Sequence, residues 1–155
     1  MEIIEFRNAV WEYFRYLRLS MDFIFRPIVE DLGLTMLQAR ILVEVQAAGE
    51  ITIGDLGESI GTGSGNASTM CKRLEQMGCV RRERALADER VVLVSLTEEG
   101  QALLIEMERE IARRYGSILR NWPEEDLAQI QAGARRIKEM LDALQSNQDC
   151  KGVDV

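Results

Sequence analysis

Residues 61–65 read Gly-Thr-Gly-Ser-Gly, and what lies on either side of these alternating glycines constrains the fold more than any other stretch. A dinucleotide-binding turn would need its next glycine five residues after the first, at position 66, and a strand in front. Position 66 is Asn66, and the preceding residues carry apolar side chains at Ile53, Leu56 and Ile60, a helical spacing, with Thr52 and Asp55 placed to cap it. Beyond the glycines, Ala67, Met70, Cys71, Leu74 and Met77 recur on one side of a second helix over 64–77. Gly65, Ser68, Thr69, Lys72, Arg73 and Gln76 are left facing outward. The glycines therefore separate two helices, where they permit a tight turn and keep bulk away from anything that approaches.

The pattern continues past Gly78 as two strands, Cys79–Arg84 and Arg90–Leu96, joined by a loop over 85–89, a hairpin edged with arginine. Upstream, Thr35 and Gln38 form a capping box that opens a helix with Leu37, Ile41, Leu42 and Val45 inward, closed by Gly49. Ile51-Thr52-Ile53 allows a very short strand. Two long helical regions flank this centre. In the first, Val10, Phe14, Leu17, Met21, Ile24 and Ile28 alternate steps of four and three, and Trp11, Tyr13, Tyr16 and Phe25 add a second apolar face. Such a helix usually packs against two things, for example its own domain and a partner subunit. Pro27 should kink or end it, with Gly33 marking the boundary. On the other side, Thr97 with Glu98 and Glu99 starts a helix with Leu104, Ile111, Tyr115 and Ile118 inward, ending near Trp122-Pro123. A last helix carries Leu127, Ile130, Ala134, Ile137, Leu141 and Leu144, and the residues from Ser146 onward lose periodicity.

Length and composition fit one domain without a membrane-spanning run, and the acids and arginines among the first residues do not suit a signal peptide, so a cytoplasmic protein is expected. No histidine is present, and the three cysteines, Cys71, Cys79 and Cys150, lack a C-x-x-C pair, so neither a metal site nor a cofactor nor an enzyme's catalytic constellation is expected. The net charge of −7 speaks at first against a nucleic-acid partner. Its distribution does not: residues 61–94 hold six basic and four acidic side chains, whereas 1–60 hold five and ten and 95–155 hold eight and twelve. Phosphates respond to local charge, and the net-basic segment is the one holding the glycines.

Helix, short turn, helix and two-stranded hairpin, in that order, make a winged helix-turn-helix, in which the second helix enters the major groove and the hairpin reaches the flanking backbone. The expected class is mainly α with a small β-hairpin wing (α+β): a winged-helix region over 35–97, long dimerisation helices over 1–32 and 98–146, and a disordered tail over 147–155. The residues Leu34-Thr35-x-x-Gln38-x-x-Ile41-Leu42, Ile53-x-x-Leu56, Lys72-Arg73-Leu74-Glu75-x-x-Gly78-x-Val80-x-Arg82, and Asp88-Glu89-Arg90 through Leu96-Thr97-x-x-Gly100 resemble the multiple antibiotic resistance regulators, the MarR family. The resemblance covers about residues 30–145, and the chain departs from the pattern in the glycines at 61, 63 and 65 and in its overall acidity. It implies a dimeric transcription factor on double-stranded DNA, its first and last helices interlocked, with a small-molecule pocket between the dimerisation and DNA-binding parts.

On this reading the candidate DNA-binding residues are Ser64, Gly65, Asn66, Ser68, Thr69, Lys72, Arg73 and Gln76 on the second helix, and Arg84, Asp88 and Arg90 on the wing. The resemblance puts Arg90 into the minor groove with Asp88 orienting it; the plain alternative is a surface ion pair of Arg90 with Asp88 or Glu89. Cys71 and Cys79 read as buried structural thiols, and the first helix lacks the cysteine that peroxide-sensing members carry there. Trp11, Arg15, Arg18, Arg26 and Met36 are candidates to bind a small aromatic or anionic effector, against the bland reading of core packing and surface arginines. The expected function is a homodimeric, sequence-specific repressor on a palindromic operator, modulated by such a ligand. The rival is a winged-helix protein-interaction module that shows no salt-dependent duplex binding.

Overall fold

The computed structural model describes residues 3–85 and 88–149. It divides the chain into two compact units, with the division between Arg113 and Arg114. Among the described residues are six helices and three strands, in the order α1 (Ile3–Asp31), α2 (Met36–Ala48), β1 (Glu50–Thr52), α3 (Ile53–Ser59), α4 (Ser64–Gln76), β2 (Val80–Ala85), β3 (Asp88–Leu96), α5 (Glu98–Arg120) and α6 (Glu124–Asp149). No helix is long and apolar enough to cross a membrane among them.

In the first unit, α1 runs past Pro27, which does not end it. The turn beyond the proline is held from below, because Ile28 and Val29 are buried. The helix stops only at Gly33, where the N–H groups of Gly33 and Leu34 donate back to the carbonyls of Glu30 and Val29. Thr35 and Gln38 then cap α2 reciprocally: the Gln38 N–H donates to Thr35 Oγ1 at 3.2 Å and the Thr35 N–H to Gln38 Oε1 at 2.8 Å. Thr52 caps α3 by accepting from the Asp55 N–H, so Ile53 opens the helix as its apolar spacing predicts, and the short strand ends one residue earlier, at Thr52.

The short strand is not isolated. The sheet order is β1-β3-β2, with Ile51 opposite Val94 and Thr52 opposite Leu93, so β3 is central and both of its neighbours are edges. The hairpin is longer than its sequence suggested: β2 ends at Ala85 and β3 starts at Asp88, leaving as the connection residues 86 and 87, which lie outside the described residues. An irregularity after Arg84, which faces Val92, brings Ala85 opposite Asp88. Cys79 precedes the strand rather than starting it.

One core joins these elements, built on Leu42, Val45, Leu56, Ala67, Cys71, Leu74, Val80, Val94 and Leu104. The alternation of the second helix is as expected except at its end. Met77 is exposed, because it is the cap residue after the last full turn of α4, and its sulfur accepts from Gln38 Nε2 instead of filling the core. That bond and the capping box satisfy Gln38, the buried polar residue of α2.

The second unit holds the end of α5, a break around Trp122-Pro123 and all of α6. Ile118, placed on an inner face by its spacing, is 56% exposed, and Leu119, Trp122, Ile130 and Leu144 are exposed with it. Two helical pieces without a third layer cannot cover such seams. The helix continues through Ser146 to Asp149, beyond the expected loss of periodicity; residues 150–155 lie outside the described residues.

Candidate nucleic-acid interface

The two helices of the motif are set by the turn between them. Gly61 has φ +68°, a left-handed conformation open to glycine at little cost, and its N–H donates to the Glu58 carbonyl. Gly63 occupies the position before α4 and supplies no side-chain cap, so the first turn of α4 presents backbone N–H groups uncovered by a cap side chain. Such an end favours anions. A Cβ on Gly63 or Gly65 would meet nothing within 4 Å, so the fold itself has no steric need for these two glycines.

Ser64, Gly65, Asn66, Thr69, Lys72, Arg73 and Gln76 are exposed along α4, while Ser68 is half-buried. Two of the polar groups are already engaged. Asn66 Nδ2 donates to Thr62 Oγ1 at 2.8 Å, and the Thr69 hydroxyl donates to the Gly65 carbonyl at 3.0 Å, which leaves its oxygen free to accept. On the wing, Asp88 Oδ1 accepts the Arg90 backbone N–H at 2.9 Å and stands 3.6 Å from Arg90 Nε. The Arg90 side chain is 95% exposed, so this pair adds little to stability and leaves the guanidinium open to solvent. Glu89 pairs with Arg84 instead.

Ser64, Gly65 and Ser68 come together with Arg90 in one open groove of about 600 Å³. Its other walls are Thr52, Ile53, Gly54 and Asp55 at the start of α3 and Val91 and Val92 of β3, which sequence reasoning had not assigned to the site. No local pattern marks them, since they are brought in by the pairing of β1 with β3. Lys72, Arg73 and Gln76 lie farther along α4, outside this groove.

Burial pushes the thiols of Cys71 and Cys79 up; for Cys71 the Arg82 charge works against this, and Glu75 and Glu99 reinforce it for Cys71 and Cys79 respectively. Both are therefore protonated thiols at neutral pH, poor nucleophiles.

The effector candidates split between two shallow clefts. Trp11, Arg15 and Arg18 line one with Phe14; Arg18, Arg26 and Met36 share another with Arg40. Arg26 is committed to Asp22, whose carboxylate lies 2.6 Å from Nη2, and this hydrogen bond raises its pKa. A third, strongly apolar cleft of about 600 Å³ lies among α1, α2 and α5. Of the five candidates only Met36 reaches it, beside Phe25, Val29, Leu37, Val43 and Met107.

A helix-turn-helix with an exposed second helix, flanked by a sheet whose hairpin offers an exposed arginine, defines a winged helix-turn-helix DNA-binding protein. Residues 23–107 match the family of transcriptional regulators SarA/Rot. The chain is 35% identical over 119 residues to the organic hydroperoxide resistance transcriptional regulator of Bacillus subtilis, covering 76% of this chain and 78% of that one. Together with its fold, this shows that the chain belongs to the MarR and SarA/Rot group of DNA-binding transcriptional regulators. Among solved structures it is similar to NadR in complex with 4-hydroxyphenylacetate, with a TM-score of 0.68 and 26% identity over 80% of this chain and 88% of that one. It shares its fold with a mutant MarR from Escherichia coli complexed with operator DNA, with a TM-score of 0.66 and 20% identity over 88% of this chain and 99% of that one.

Proposed function

We propose that the protein is a homodimeric repressor that binds a palindromic operator, with α4 in the major groove and the Arg90 wing in the adjacent minor groove, and that a small aromatic acid releases it. The observation that carries this reading is the groove joining Ser64, Gly65 and Ser68 of α4 to Arg90 of the wing. Uncapped N–H groups and an exposed guanidinium face the same space, which suits phosphates and a narrow acidic groove. Dimerisation is supported by the apolar side chains that α1 leaves exposed, among them Trp11, Tyr16, Leu19 and Phe23. The effector site is the cleft among α1, α2 and α5, whose apolar walls suit an aromatic ring. NadR with its bound 4-hydroxyphenylacetate is the precedent for a ligand of this class.

Selection of bound duplexes from a random pool tests the reading. The expected product is a palindrome with half-sites about one helical turn apart, as two symmetric recognition helices require. A pool that stays unenriched would overturn sequence-specific binding. For the effector, aromatic acids should raise the melting temperature and weaken operator binding together, because the two ligands are thermodynamically coupled. A broad panel that moves neither removes this ligand class.

A further inference from the structure

The wing and the recognition helix are tied by one side chain. Glu75 lies in the last turn of α4, where the helix dipole disfavours a carboxylate, and it is part-exposed. Three residues, Met77, Gly78 and Cys79, separate α4 from β2. Within that short reach, both oxygens of Glu75 are taken by Arg82: Oε1 accepts the Arg82 backbone N–H at 3.2 Å and Oε2 faces Arg82 Nη1 at 3.3 Å. Since β2 is an edge strand, the Arg82 N–H finds its acceptor off the ladder, in the helix. Arg82 is unlike the other wing arginines. Its side chain is 16% exposed, against 71% for Arg84 and 95% for Arg90, and its Nε is buried without an acceptor among the described residues.

An arginine so placed offers little of its side chain to DNA, yet it sits two residues before Arg84 in the strand that carries the wing outward. From these contacts we propose that Glu75 and Arg82 are positioning residues for DNA recognition: their two-point bond fixes the angle between α4 and the hairpin, so that base contacts from α4 and the minor-groove contact from Arg90 are made at once. This rests on the DNA-binding reading above. A specific site demands that both contacts register on one duplex, whereas loose binding to phosphates does not. Loss of the bond should therefore weaken specific binding more than non-specific binding.

The test compares Glu75→Gln and Arg82→Lys with the wild-type chain on the operator recovered by selection and on an unrelated duplex of equal length, well below each variant's melting temperature. Glu75→Gln keeps an acceptor for the Arg82 N–H but not the charge-paired guanidinium, and Arg82→Lys keeps the charge but not the fork. The expected result is a fall of about tenfold in the ratio of operator to unrelated affinity, with the unrelated duplex bound within about twofold of wild type. A merely structural role would lower the folded fraction and scale both affinities together, leaving the ratio unchanged; that result would overturn the proposal. Failure of the wild-type chain to distinguish the duplexes would instead overturn the sequence-specific reading on which it rests.

Discussion

Gly100 occupies the first turn of α5 directly over the backbone that leaves α4. A Cβ there would run into the Cys79 carbonyl oxygen and stand 3.3 Å from Leu96 Cδ2. That carbonyl already accepts the Thr97 N–H, so it cannot move aside without breaking the start of α5. Gly100→Ala should cost about 1–3 kcal/mol by overpacking and lower the melting temperature, read by circular dichroism. Gly65 is the opposite case: it stands in the first turn of α4 with open space around it. Gly65→Ala should stabilise the free protein by about 0.5–1 kcal/mol through helix propensity, yet weaken operator binding by filling the space a duplex needs. A gain in both stability and affinity would place the duplex elsewhere. The two glycines look alike in sequence, because what separates them is a contact with Cys79, 21 positions back along the chain.

At the scale of elements, α4 and the wing have different duties. Gln76 is exposed on the last turn of α4 and can meet a base edge. Gln76→Ala should relax the preferred sequence at one position per half-site, at about 1–3 kcal/mol, when bound duplexes are selected again. An unaltered preference would assign Gln76 to solvent. Those elements were legible from sequence where their signals are local: the capping box of Thr35 and Gln38, the apolar spacing of Ala67, Cys71 and Leu74, and the alternating strands around Val80 and Val94. What escaped depends on distant partners. The pairing of β1 with β3 hangs on three residues, and Ala85 and Asp88 at the end of the hairpin read as loop although they face one another. Pro27 should kink or end a helix on sequence grounds; that α1 runs on past it goes with the burial of Ile28 and Val29, which sequence alone does not show. The bond of Glu75 to Arg82 joins two residues that read as ordinary surface charges.

For the whole molecule the first issue is assembly. Trp11 is 76% exposed and Phe23 83% exposed on α1, the aromatic surface that the proposed dimer would cover. Ile28 is fully buried, so cutting α1 away through that residue would damage the core as well as the interface. Trp11→Glu with Phe23→Glu is the cleaner change: light scattering should report a monomer while circular dichroism keeps its helical signal, and a persistent dimer would count against α1 as its seam. Recognition then requires that the groove between α4 and the wing meets DNA, and the arginine that lines it, Arg90, is 95% exposed. The most direct measurement is operator affinity against salt concentration for the wild type and Arg90→Ala. Arg90→Ala should weaken specific and unrelated duplexes alike and flatten the slope of log affinity against log salt by about one phosphate contact per subunit. An unchanged affinity and slope would return Arg90 to a surface ion pair with Asp88 and contradict the interface.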